Sequence, residues 1–193
     1  GGTTYCSDPA PFPDGQPWLC LDPDEGYWGT GITVTGRDVG TQEGRLYFKG
    51  SDSSEYDAQI IKCQQDDPNW FGNNNDEIII EAPSNLNLTG NPYKLIIETA
   101  DGRSSEFKNW GINLPLDQYQ LLEESFDDSP YIICALDENQ QNEIGSGRAG
   151  QNINVKGKRF GSNTGSLYFG CPQGVVDFNN CDSANSILNW SSE

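Results

Sequence analysis

The chain contains no histidine and no methionine. Without histidine it lacks the usual general base near neutral pH and the commonest zinc ligand. Carboxylate pairs remain, but no spacing singles out one pair among the 29 acidic residues. The expectation is a non-enzyme, with no catalytic, cofactor-binding or metal-binding residues. The missing methionine leaves no initiator, and no signal peptide starts at Gly1, so the chain reads as mature, trimmed or cut from something longer. No apolar run approaches the roughly 20 residues of a membrane span. Basic residues are scarce too, 11 against 29 acidic, for a formal net charge of −18. Affinity for duplex DNA comes largely from Lys and Arg on phosphates, which argues against a nucleic-acid partner. An acidic surface of this kind keeps long proteins soluble and holds neighbouring domains apart.

What is present is turn chemistry and short strands. Gly (22) and Pro (11) are abundant, alongside many Asn and Asp. Apolar residues make up 34%, low for one large core but suited to two thin β-sandwiches. "ITVT" at 32–35, "RLYF" at 45–48, "QIIK" at 59–62, "EIII" at 77–80 and "YKLIIET" at 93–99 are β-branched or aromatic runs bounded by turn residues. That spacing suggests an antiparallel sandwich. A weak helical period covers only "LDQYQLLEES" at 116–125. Six cysteines without a CxxC motif point to an oxidising compartment, hence an extracellular or cell-surface location.

An internal repeat organises the chain. Phe12 and Cys20 recur as Phe126 and Cys134, an offset of 114. After a loop seven residues longer in the second copy, the match resumes at an offset of 121. Ile32 then aligns with Ile153, Gly36 with Gly157, Gly40 with Gly161, and Leu46-Tyr47-Phe48 with Leu167-Tyr168-Phe169. Trp70 pairs with Trp190.

Those residues carry a family resemblance. The Gly-x-x-x-Gly turn, the Trp ahead of "EIIIEAP", and "YKLIIETADGRSSEF" together resemble an IPT/TIG domain, the immunoglobulin-like fold of plexins and Rel-type transcription factors. The resemblance covers residues 17–110 completely and 130–193 in part. It implies an all-β chain of immunoglobulin-like β-sandwich domains in tandem. Residues 1–16 would hold the end strand of a preceding domain and a linker, 17–110 a complete domain, 111–129 a linker, and 130–193 a second domain lacking its last strands. A window onto a longer array, strand donation between subunits, and a partial chain all account for that layout. One departure is Val39, where the family has Phe and the second copy has Phe160. A smaller plug predicts looser packing of the first turn.

The repeat also sorts the cysteines. Cys20 and Cys134 are equivalent, and Cys63 and Cys181 both precede the repeated Trp. The simplest pairing is Cys20–Cys63 and Cys134–Cys181, one staple per domain, each contributing about 2–4 kcal/mol. Cys6 and Cys171 are left to other partners, with Cys171–Cys181 as the rival local bond.

Two sequons, Asn87-Leu88-Thr89 and Asn189-Trp190-Ser191, mark Asn87 and Asn189 as candidate N-glycosylation sites. The acid clusters at 21–26, 64–77 and 126–130 read as solvated turns, and no stretch has calcium-loop spacing. Were calcium to bind, Asp127 and Asp128 would be the place. Trp70 and Trp190, being repeated, read as structural, whereas Trp18 and Trp110 suit contacts between domains. The function these features favour is a non-enzymatic structural or adhesive module of an extracellular fibre, its partners being neighbouring copies of the domain and N-linked glycans. A receptor stalk and an accessory domain of a secreted carbohydrate-active enzyme are the alternatives.

Overall fold

The computed structural model describes residues 15–72, 77–106, 118–145, 150–169 and 182–183. The chain divides into two compact units, Gly1–Asp128 and Ser129–Glu193. Among the described residues there is no α-helix, and no helix long and apolar enough to cross a membrane.

The described residues of the first unit form nine strands: β1 (Trp18–Asp22), β2 (Glu25–Trp28), β3 (Gly31–Arg37), β4 (Arg45–Lys49), β5 (Glu55–Asp57), β6 (Ile60–Ile61), β7 (Glu77–Glu81), β8 (Tyr93–Glu98) and β9 (Gln118–Phe126). One sheet has the order β1-β3-β7-β6 and the other β2-β9-β8-β4-β5, which is the strand order of an immunoglobulin-type sandwich. Alternation explains the layering. Successive side chains of a strand point to opposite faces, so every second residue of β3 and β7 is buried. Ile32, Val34, Ile78 and Ile80 from the first sheet share one core with Phe48, Leu95, Ile97, Tyr119 and Leu121 from the second.

The first Gly-x-x-x-Gly turn is not loosely packed. Val39 is buried, and the fully buried Phe71 lies beside it. A Cβ built on Gly36 would stand 2.9 Å from the Phe71 ring and 3.0 Å from Val39. Phe71 supplies the aromatic bulk that Val39 lacks, which overturns the expectation from valine's size alone. Trp70 lies in the same core, and its indole nitrogen donates to the Val39 carbonyl at 3.2 Å.

The closing strand corrects the expected domain layout. Ser104 bridges Glu98, and the Ser105 N–H donates to the Ile97 carbonyl. Farther along the same edge, Tyr119 pairs with Tyr93 and Gln118 with Lys94. Residues 118–126, expected in a linker with a weak helical period, are thus a strand of the first unit. Burial of Tyr119 and Leu121 against β8 outweighs the helix preference of "LLEES".

The second unit contains β10 (Tyr131–Leu136) paired with β11 (Asn154–Lys158), and β12 (Tyr168–Phe169) paired with β13 (Asp182–Ser183). The pairing of β10 with β11 repeats that of β1 with β3 over three rows, up to a bulge between Ile132 and Cys134. Cys20 faces Thr35, Leu21 faces Val34 and Asp22 faces Thr33. Cys134 likewise faces Lys156, Ala135 faces Val155 and Leu136 faces Asn154. The turn beyond also recurs: φ is 54° at Asp38 and 61° at Arg159, then 72° at Gly40 and 73° at Gly161. The longer connection between the two strands closes on itself. The Asp137 carboxylate accepts from the Asn142 side chain and the Gln141 N–H, and these bonds hold its pKa below the usual carboxylate value.

Candidate functional site

One surface of the first unit gathers aromatic, apolar and acidic side chains from β2, β9 and the β7–β8 connection. Its foundation is a buried hydroxyl. Thr30, immediately before β3, accepts from the Tyr27 N–H at 2.9 Å and donates to Asp127 at 2.7 Å. The Asp127 N–H in turn donates to the Trp28 carbonyl at 2.9 Å. The end of β9 is thereby held along β2, with which it runs parallel. Tyr119 secures the same region from within, its hydroxyl donating to the Tyr27 carbonyl at 3.0 Å. Burial pushes that phenol up to about 12.

Above this foundation, Trp28 and Phe126 meet edge to face at 5.8 Å. The Trp28 indole nitrogen donates to the Leu86 carbonyl at 2.8 Å, which ties β2 to the β7–β8 connection. That connection ends in a 3-10 turn, Leu88–Gly90, capped by Asn87, whose side-chain oxygen accepts from the Gly90 N–H at 3.0 Å. The Asn87 backbone exchanges hydrogen bonds with the Tyr93 hydroxyl, and its amide nitrogen donates to the Tyr56 hydroxyl at 3.4 Å. Asn91 holds β9 by both of its amide atoms, one on each backbone group of Leu121. Because Leu121 is buried, Leu122 faces outward. The Leu88 N–H donates to Glu124 on β9 at 3.0 Å. Leu88 is 47% exposed, Leu122 46% and Phe126 61%, an apolar strip on a strongly acidic protein.

Several residues singled out from the sequence fall in or near this surface. Asn87 belongs to it as a half-buried cap. Asp127 is engaged by Thr30 rather than standing open at a junction. Trp18 is largely buried, with the Arg37 guanidinium 5.5 Å from its ring centre. Asn189, Trp110, Trp190, Cys181, Cys6 and Cys171 lie outside the described residues.

The cysteines require a correction. Cys20, Cys63 and Cys134 are each disulfide-bonded. Yet β1 and β6 form opposite edges of their sheet, and Ile61 stands in the row of Ile79, Thr33 and Asp22. Three strand spacings put those edges about 14 Å apart. Two residues reaching straight back from Ile61 still leave Cys63 about 9 Å from Cys20. A disulfide needs Cα atoms within about 7 Å, so Cys20 and Cys63 do not bond each other. The repeat established which positions are equivalent, and equivalence is not proximity.

No family model matches the chain, so the IPT/TIG resemblance rests on the motifs quoted above. No curated protein matches it either. Among solved structures, the gamma-CGTase of an alkalophilic Bacillus clarkii is similar with a TM-score of 0.37 and 17% identity, over 67% of this chain and 18% of that one.

Proposed function

We propose that the chain is a non-enzymatic structural or adhesive segment of an extracellular protein built from serial IPT/TIG-type sandwiches. One observation carries this reading: the pairing of β1 with β3 recurs in β10–β11 over Cys134 to Leu136, up to a bulge between Ile132 and Cys134, and the positive-φ residues of the following turn recur as well. A strand pair and turn used twice in one chain serve as a building unit, and units in series make spacers and fibres. The oxidised cysteines support an extracellular setting, and the net charge of −18 supports separation of neighbours.

Electron microscopy of the protein isolated from its natural surface tests this reading. Filaments or stalks with a uniform axial repeat, and domain contacts recurring along the axis, are expected. Isolated compact particles with no serial modules would overturn it.

A second reading, an accessory module that holds polysaccharide, draws on the surface pair of Trp28 and Phe126, since sugar rings pack against aromatic faces and edges. Retention on insoluble polysaccharide that disappears in Phe126→Ala would favour it over the spacer.

A further inference from the structure

We infer that Asn87 carries an N-linked glycan whose first sugars cover the apolar strip formed by Leu88, Leu122 and Phe126. This inference rests on the extracellular reading for the passage of the chain through a glycosylating compartment. The acceptor triplet Asn87-Leu88-Thr89 sits at the margin of the strip, because Leu88 is itself part of it.

The bonding of Asn87 leaves room for the modification. Its oxygen makes the structural contacts, accepting from Gly90 and from the Thr89 hydroxyl. Its nitrogen has two protons, and one of them is directed at the Tyr56 hydroxyl. In the transfer, the bond from the anomeric carbon of a lipid-diphosphate-linked oligosaccharide to its diphosphate oxygen breaks. A bond from that carbon to the Asn87 amide nitrogen forms, and the displaced amide proton goes to the leaving lipid diphosphate. No oxidant or reductant takes part. The oxygen that caps the 3-10 turn is untouched, and one N–H remains for Tyr56.

The strip explains what the glycan does once it is attached. Leu122 and Phe126 are exposed on β9 on either side of Glu124, where the pairing of β9 with β2 is irregular. Glu124 holds the Leu88 N–H, so the 3-10 turn lies against this stretch of β9. Exposed apolar surface promotes association. A sugar ring offers a C–H face to leucine and phenylalanine while its hydroxyls stay in water. A sugar on Asn87 is one residue from Leu88 and is positioned to lie across the strip.

The test uses the full chain, secreted from a eukaryotic host under a supplied leader, so that its natural location and any fibre formation do not enter. The peptide spanning Asn87 should carry a glycan mass that is lost in Thr89→Ala and kept in Thr89→Ser. Two enzymes then separate the parts of the claim. An endoglycosidase that leaves one N-acetylglucosamine should leave the fluorescence of a hydrophobic dye (ANS) low. A peptide:N-glycosidase removes the whole glycan and converts the acceptor to aspartate, which preserves the cap acceptor; dye fluorescence should then rise. That rise should be absent in the double variant Leu88→Ser, Leu122→Ser. An unmodified Asn87 in the folded, secreted protein overturns the inference. So does unchanged dye binding after complete removal, or a glycosylated protein that dimerises through the strip and becomes monomeric in Leu122→Ser.

Discussion

Swapping the aromatic at the first turn tests the packing logic of the fold. Phe71 is fully buried, against Gly36 and Val39. The second unit solves the same problem the other way round. There Phe160 provides the ring that lies over Gly157, and Ser191 follows the repeated Trp190. Phe71→Ala removes a buried phenyl and should cost about 4 kcal/mol. Val39→Phe adds a second ring to a filled site and should cost about 2 kcal/mol. If one ring can replace the other, the double variant should lose only about 3–4 kcal/mol rather than their sum, a coupling of about 2–3 kcal/mol. Urea unfolding without reductant, followed by tryptophan fluorescence, measures all four corners of the cycle. Trp70 reports directly, since its ring meets Phe71 edge to face at 5.6 Å. A coupling below about 0.5 kcal/mol would refute the reasoning.

Three further outcomes follow from the same geometry. Burial pushes the Tyr119 and Tyr47 phenols up to about 12 in the fold, whereas an unfolded chain loses these protons near 10.0; stability should therefore fall as pH rises from about 10 to about 12, and Tyr119→Phe should make that fall shallower in a pH series of urea midpoints, with Tyr47 supplying the remainder. An added methyl at Gly26 would lie 2.6 Å from the Thr30 hydroxyl and 2.7 Å from the Tyr119 hydroxyl, so Gly26→Ala should destabilise the first unit by about 1–3 kcal/mol; an unchanged melting curve would show that the β2–β9 contact is less tight than described. A non-reducing peptide map should contain no fragment joining Cys20 to Cys63, and recovery of that fragment would contradict the sheet order.

The sequence displayed the inner strands because their β-branched runs serve both pairing and burial. "GITVTGR" and "EIIIE" alternate cleanly, and every inward position is apolar. β9 was hidden for the opposite reason. Only Tyr119 and Leu121 are buried, and the remainder is exposed or half-buried and includes the helix formers Gln120, Leu122, Glu123 and Glu124. The two-residue spacing of Tyr119 and Leu121, directly beyond "NLPLD", was the available signal. The candidate surface was legible only in pieces. The sequon named Asn87, but the Thr30–Asp127 bond joins residues 97 positions apart, and no local pattern encodes such a meeting. Phe126 illustrates the same limit. Its recurrence with Phe12 marked it as equivalent to another position, whereas its exposure and its contact with Trp28 come from tertiary placement.

β8 pairs with β9 at Gln118 and Tyr119, and beyond them β9 is carried by β2 and by the side chains of Asn91 and Thr30. Two short side chains thus do for this margin much of what a continuous ladder does for β3–β7 and β4–β8. Under tension it is the margin that would give way first, leaving the inner ladders closed.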